Sequence, residues 1–536
     1  MTKSNTRAFS HPLIDDFVKG LKFELDDFQE ESCFALTQKK SVLVAAPTGA
    51  GKTIVAEFAV YLAMKEQQKI FYTAPMKALS NQKFQELCAV YGAENVGILT
   101  GDTNINPHAQ IVVMTTEVLR NMIYTGSDLL QGLAWVIMDE VHYLADRFRG
   151  AVWEEVIIHL PQSTRLIALS ATVSNAEEFG DWLRTVRGHT EVIVSENRPI
   201  PLHQHVSVGN EIIDLFLSGT SRVNPDLVQL TTNSRNRYRS RNPHQRHHES
   251  RNRVSRSRMI EDLAEINLLP AIFFIFSRVG CDAAVQQVMN HGVQLTTAEE
   301  RAEIRATVEE RCQDILEEDL AVLGYWEWFE SLQRGVASHH AGLLPIFKEV
   351  VEDLYRRKLV KVVFATETLA LGINMPARSV VLEKLVKFNG EARVPITPGE
   401  YTQLTGRAGR RGIDTEGHAV IQWVEGMNPE DLAALASKRS YPLISSFKPG
   451  YNMSVNLIDQ FGVDRTRTVL ESSFAQFQAD RAVVGLAKAV RQQEEALSGY
   501  TEPMTCHLGD FPEFARLRRE LSDIEKANTQ SFSKSK

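Results

Sequence analysis

Apolar residues along this chain fall into short runs that alternate with stretches where they recur every three or four positions. Ser41–Ala46, Ile70–Pro75, Ala109–Met114, Ala134–Met138 and Leu166–Ser170 are such runs and read as buried strands. Thr53–Lys65, Ala78–Val90 and Ala176–Arg187 carry their apolar residues at helical spacing. As far as Val194, strand and helix alternate, which predicts a parallel α/β sheet with helices on both faces. The alternation resumes at Leu268, with strands at Ala271–Phe276 and Val360–Ala365 and an acidic helical stretch, Thr297–Leu332, between them. Val420–Trp423 closes this second lobe. Asp431–Asp480 reads as short helices with turn signals, Arg481–Lys526 as a charged helical stretch, and the last nine residues as a frayed polar tail.

Ser218–Met259 breaks the pattern. From Arg235 to Arg258 there are nine arginines and one acid, Glu249, among Ser, Asn and His. Such a segment cannot bury a core and is expected to be disordered. A solvated linker and a nucleic-acid-binding arm fit it equally.

Composition narrows the class. A length of 536 residues suits three or four domains, and 43% hydrophobic with 24% charged residues is an ordinary globular balance. Five cysteines without a paired CxxC spacing argue against a zinc site or a disulfide framework and fit a reducing cytoplasm. The N-terminal stretch lacks an apolar signal core, and no apolar run is long enough to span a bilayer, so no membrane partner is expected. A net charge of −8 means that a nucleic-acid partner needs a local basic track.

The chemistry starts at Ser41–Lys65. A strand, a glycine turn, Lys-Thr and a helix form the architecture of a phosphate-binding P-loop. Gly49 and Gly51 let backbone N–H groups converge on an anion, together with Thr48 and Ala50. Lys52 can reach the β/γ-phosphates of ATP, and the Thr53 hydroxyl can hold Mg²⁺. Ala46 stands where the general pattern has its first glycine. In Trp135–His142 an apolar strand ends in two carboxylates, where Asp139 can hold Mg²⁺, partly through water, and Glu140 can activate the attacking water. Gln403–Gly412 spaces arginines around glycines, which suits forked donors on a phosphate; a basic nucleic-acid loop is the alternative. Leu385–Ile396 alternates apolar residues around Asn389-Gly390, the strongest short-range hairpin signal.

These blocks, in this order, resemble the motifs of the superfamily-two DExH helicases. Phe23 and Gln29 are similar to the adenine-recognising Q motif, Ala46–Thr53 to motif I, Thr73–Lys83, Leu99–Asp102 and Thr115–Arg120 to motifs Ia, Ib and their neighbour. Asp139–His142 resembles motif II, Ser170–Thr172 motif III, Phe276–Asp282 motif IV, Ala365–Pro376 motif V and Tyr401–Asp414 motif VI. HHAGLLP, KFNGEARVPITPGEYTQLTGRAGRRG, YNMSVNLI and SSFAQFQADRAVVGL are similar to the Ski-two-like branch of superkiller and exosome-associated RNA helicases, most of all to an actinobacterial type within it. The likeness runs from about Leu13 to about Lys526.

The resemblance implies two RecA-like parallel-sheet lobes in tandem, then a winged helix and a helical segment. The corresponding ranges are 1–202, a linker at 203–262, 263–428, 429–480 and 481–536. It implies ATP and Mg²⁺ and 3′→5′ movement on a single-stranded or tailed duplex RNA, with DNA as the alternative. A clamp that remodels without parting strands is a further alternative. By match to motif VI, Arg407 and Arg410 are the arginine fingers, and Gln403 senses the nucleotide with His142. By match to motif V, Gly372 and Asn374 lie near the phosphates and Thr366 near the strand. Pro75, Lys77, Asn81, Gln82, Thr116 and Arg120 are expected on the strand, and Phe388 is expected to wedge at the duplex junction. A monomer working with RNA-degradation machinery is implied. Relatives continue into an arch and a ratchet domain; because this chain stops at Lys536, unaided processive unwinding is not expected.

Overall fold

The computed structural model describes the chain outside residues 1–8, 10, 210, 240–254, 371–374, 376, 389–390, 410–411, 425–426, 438–440, 484–492, 494–504, 507–508 and 534–536. It divides into two compact units, Met1–Ser446 and Phe447–Lys536.

The first unit holds two large sheets. In the first, the strands are β1 (Ser41–Ala45), β2 (Lys69–Ala74), β3 (Val96–Leu99), β4 (Asn104–Ile105), β5 (Ile111–Thr115), β6 (Leu133–Met138), β7 (Arg165–Ser170) and β8 (Thr190–Val194). Their order is β4-β3-β5-β2-β6-β7-β1-β8. Every described neighbour pair is parallel except the short edge pair β3–β4. Strands buried on both faces read as continuous apolar runs, which is why these runs were legible. Helix Thr53–Lys65 packs on this sheet through Val55, Phe58, Ala59 and Leu62, all with no exposed surface. Each such large side chain contributes about 1.5–3 kcal/mol by its burial. The turns after β1, β7 and β6 lie at the same carboxyl edge, where α/β sheets bind ligands.

The second sheet runs β10-β9-β17-β14-β11-β13-β12. Its strands are β9 (Leu202–Val208), β10 (Glu211–Asp214), β11 (Ala271–Phe274), β12 (Val336–His339), β13 (Val362–Ala365), β14 (Ser379–Leu382) and β17 (Gly417–Gln422). A separate antiparallel pair, β15 (Val386–Phe388) and β16 (Arg393–Pro395), matches Phe388 with Arg393. The expected hairpin is therefore present, while Asn389 and Gly390 at its centre lie outside the described residues.

Two expectations are corrected. The range 203–262 is not a linker: β9 pairs in parallel with β17 along its whole length, and β10 closes that edge. The flanks of the arginine-rich stretch are helical, Pro225–Arg239 and Arg256–Glu265. They bury Leu227, Met259, Ile260 and Leu263 in the core around this sheet. Arginine density hid these few apolar anchors. The expected disorder falls on 240–254, outside the described residues.

The range 429–480 does not form one block. Helix Pro429–Ser437 belongs to the first unit, and the second unit begins at Phe447. The second unit contains helix Tyr451–Glu471, kinked at Gly462, and helix Phe511–Ser533. Its buried side chains include Leu457 and Phe474.

Candidate ATP site and nucleic-acid groove

The P-loop leaves β1 through Pro47 and turns at Gly49 and Gly51, whose φ values of 81° and 90° are costly for any side chain. Lys52 Nζ donates to the carbonyls of Ala46 (2.8 Å) and Pro47 (3.1 Å). Burial pulls its ammonium below the ordinary lysine range, against the attraction of Glu140 and Asp139. Ala46 fits in place of glycine because its Cβ points into core and has no exposed surface. Gln29 is also fully buried: its amide donates to the Gly51 carbonyl (2.8 Å) and accepts from Asp26 N–H (2.9 Å). It thus braces the P-loop, while Phe23 beside it is 47% exposed.

Asp139 and Glu140 follow β6. Asp139 accepts from Tyr72 Oη (2.7 Å) and from the Glu140 N–H (3.0 Å). Burial and the neighbouring Glu140 push its carboxyl above the usual range. Glu140 sits in the left-handed region at φ 53°, a strained conformation typical of functional turns. A half-buried acidic pair beside a lysine and a glycine turn fits a nucleotide's phosphates with Mg²⁺. Among the described residues there is no group of three or more His, Cys, Asp and Glu that could hold a metal ion.

The second lobe completes the site. Helix Pro398–Thr405, started by a capping box of Thr397 and Glu400, carries Gln403 towards the first lobe. The Gln403 amide lies 2.6 Å from His142 Nε2, and His142 Nδ1 accepts from the Ala171 N–H at 3.2 Å. With Nδ1 accepting, the ring proton belongs on Nε2, and the Gln403 amide accepts it through its oxygen, in the turned orientation of the amide. Burial pushes the His142 pKa down to about 3, so this link is neutral at physiological pH. A Cβ on Gly406 would stand 3.0 Å from Thr48 Cβ and 2.7 Å from the Thr402 carbonyl, so glycine permits the close approach of motif VI to the P-loop. Arg407 is half-buried; burial lowers its pKa, and the charge of Glu140 works against that. Arg410, Gly372 and Asn374 lie outside the described residues.

A cavity of about 440 Å³ opens in the first lobe, lined by Pro75, Lys77, Gly101, Glu117, Asn121 and Arg149 among others. Pro75 and Lys77, expected on the strand, are both part of this lining. Asn81 is exposed, and the Gln82 amide donates to Glu86 (2.7 Å). Thr116 does not reach the cavity: it has no exposed surface, and its hydroxyl faces the Ala74 carbonyl (3.4 Å). Arg120 is turned onto Asn121 Oδ1 (3.0 Å) and towards Glu155 (3.8 Å). Helix Thr116–Tyr124 turns Glu117, Val118 and Asn121 to the cavity, and Thr116 and Arg120 are not in its lining. Thr366 Oγ1 is 2.8 Å from Thr368 Oγ1, and Phe388 is 62% exposed.

Residues 26–179 match the DEAD/DEAH box helicase model, and residues 294–412 match the helicase conserved C-terminal domain. The chain is 53% identical over 522 residues to "Probable helicase HelY" of Mycobacterium tuberculosis, covering 95% of this chain and 58% of that protein. The chain belongs to the DEAD/DEAH-box helicase family, in its Ski-two-like branch. It is also 38% identical over 521 residues to Superkiller complex protein 2 of Homo sapiens, covering 94% of this chain and 41% of that protein. Likeness to the Homo sapiens Exosome RNA helicase MTR4 is 36% over 521 residues, 96% of this chain and 49% of that one. The chain thus spans about half the length of the curated relatives it matches.

Several residues at this helicase site escaped the sequence reading. Tyr72 looked like one more apolar strand residue, yet it orients Asp139. Arg149 donates to Glu117 Oε1 (2.8 Å) and to the Pro75 carbonyl, tying two walls of the cavity together. The stretch from Tyr441 to Ser446 clasps the first lobe: Ser174 N–H donates to the Tyr441 carbonyl (2.9 Å), Leu443 exchanges two bonds with Asn175, and Ser446 Oγ donates to the Leu144 carbonyl (2.9 Å). None of these carries a spacing signal.

Lys387, on the hairpin, reaches Glu367 within motif V (2.7 Å) and Glu400 on the motif VI helix (2.8 Å). Burial works against its charge, but the two carboxylates outweigh that and hold its pKa above the ordinary range. Lys387→Met leaves the carboxylates facing each other at a half-buried place, with an expected cost of about 1–2 kcal/mol after allowance for solvent screening. Thermal unfolding reads it, and adding Glu367→Gln in the same chain should recover most of the loss.

Proposed function

We propose that the chain is an ATP-dependent RNA helicase or translocase in which hydrolysis requires the two lobes to be together. The observation that carries this is the meeting of motif VI with motif II and the P-loop: Gln403 on His142, and Gly406 against Thr48. In the proposed reaction the P-loop N–H groups and Lys52 hold the β/γ-phosphates of ATP. Asp139 and Thr53 would hold Mg²⁺, which neutralises phosphate charge when bound. Glu140 accepts the proton of the attacking water, and Arg407, with Arg410, balances the charge that grows on the transferred phosphoryl group. Because the arginines come from the other lobe, turnover follows closure, and closure moves the strand.

RNA as the substrate is favoured by relatives named as RNA helicases. One relative is named for the exosome and another for the superkiller complex, so partnership with RNA-degrading machinery belongs to the same proposal. The 3′→5′ direction, a monomeric state and a cytoplasmic location rest on the branch resemblance and on the scattered cysteines. Within 447–480 the helices are taken as the helical part of a winged helix, with 481–536 as the start of a helical region.

The test is ATP hydrolysis with matched RNA and DNA oligomers, together with unwinding of 3′-tailed and 5′-tailed duplexes. Stimulation by RNA and opening of 3′-tailed duplexes alone are expected. Equal or greater stimulation by DNA overturns the RNA assignment, and indifference to both overturns the helicase reading.

A further inference from the structure

Arg147, Phe148 and Arg149 lie between the short helix Val141–Ala145 and helix Ala151–His159. Asp146 Oδ1 closes this turn by accepting from the N–H groups of Phe148 (3.0 Å) and Arg149 (2.8 Å). The turn sends adjacent side chains opposite ways. Arg149 lines the first-lobe cavity. Phe148 points out and is 73% exposed. The Arg147 guanidinium lies 5.5 Å from the Phe148 ring centroid and reaches Glu391 of the hairpin connection at 3.1 Å. Phe148 thus stands between the cavity and the hairpin that carries the exposed Phe388.

A lone exposed phenylalanine needs no explanation in itself. This one is held by a closed turn, backed by a guanidinium and flanked by a residue of the cavity wall. An aromatic face beside arginines is the chemistry of single-strand binding, since every base has a π-face and the sugar–phosphate chain is anionic. Resting on the helicase reading above, we propose that Phe148 is a stacking platform for an unpaired base of the single strand where it meets the first-lobe cavity, with Arg147 as its cationic backing. The proposal concerns strand affinity and not base identity, because stacking tolerates any base.

The test uses the full chain and a fluorescent oligouridylate, with affinity measured by anisotropy across a salt series. Phe148→Ala is expected to weaken binding about tenfold or more, the scale of one lost base stack. Its log–log salt slope should match that of the unaltered chain, because no phosphate contact is lost. Phe148→Trp should bind at least as tightly as the original. Affinity of Phe148→Ala within about twofold of the unaltered chain overturns the platform, as does a loss accompanied by a shallower salt slope, which would mean a displaced phosphate contact. A thermal melt of Phe148→Ala that matches the original assigns any loss to the ring and not to folding. If the unaltered chain neither binds the strand nor hydrolyses ATP faster with it, the helicase reading fails and the platform with it. If it does both while Phe148→Ala binds normally, the platform alone fails.

Discussion

Glu140→Gln should cut ATP turnover by about 10²–10⁴-fold, the usual contribution of a positioned general base, while nucleotide binding survives. The substitution is isosteric and keeps the backbone at its left-handed φ of 53°. Asp139 still receives the Glu140 N–H and the Tyr72 hydroxyl, so the carboxylate assigned to the metal is undisturbed. What is lost is the carboxylate able to take a proton from the attacking water. Steady-state hydrolysis at saturating ATP and RNA measures the first part, and equilibrium binding of a fluorescent ATP analogue measures the second. A variant turning over within about tenfold of the original, below that range, would sink the assignment of the base.

Lys52→Ala should have a comparable effect on turnover by another route. Removing one preorganised charge from a closed site costs about 10²–10³-fold in rate. Here nucleotide affinity should fall as well, because Lys52 meets ground-state phosphates as much as the transition state. The structure adds a stability term that a freely solvated lysine would not have. Its ammonium satisfies the Ala46 and Pro47 carbonyls, so the alanine variant leaves one buried and one half-buried acceptor, with an expected cost of about 1–3 kcal/mol. The chain should still fold, with a lower melting temperature. Hydrolysis, analogue binding and a thermal melt on one preparation separate the three effects. Unchanged analogue affinity would show that Lys52 does not touch the phosphates.

Both predictions concern residues that local spacing identified. The P-loop and the paired carboxylates are each contiguous, and their chemistry needs neighbours a few positions apart, so the pattern survives in one dimension. Strand runs were legible for a related reason: strands covered on both faces are apolar at every position. The hairpin at 385–396 was legible through Asn-Gly, whose turn conformation few other pairs accept. Where spacing said less, the reading was weaker. Thr116 and Arg120 were assigned to the strand by likeness of their block to a motif; Thr116 is buried, Arg120 bonds to Asn121, and neither is in the cavity lining. β9 and β10 were taken for linker because β9 pairs with β17, a partner far along the chain, and a mixed polar sequence such as LHQHVSV has no continuous apolar run.

The amino-acid sequence by itself determined two things: which elements form, and which atoms could carry phosphate chemistry. Both follow from interactions within a few residues: burial periodicity, positive φ at glycine, and a carboxylate pair at a strand end. Only the tertiary structure decided which of those atoms act together. His142 and Gln403 are 261 positions apart and meet at 2.6 Å. Gly406 lies against Thr48. Tyr72 on one strand orients Asp139 on the next, and Lys387 joins the hairpin to motifs V and VI. Such contacts leave no spacing in the chain, because strand order and lobe packing set them. Strand order and lobe packing in turn follow from the summed burial of many side chains, and no single motif encodes that sum.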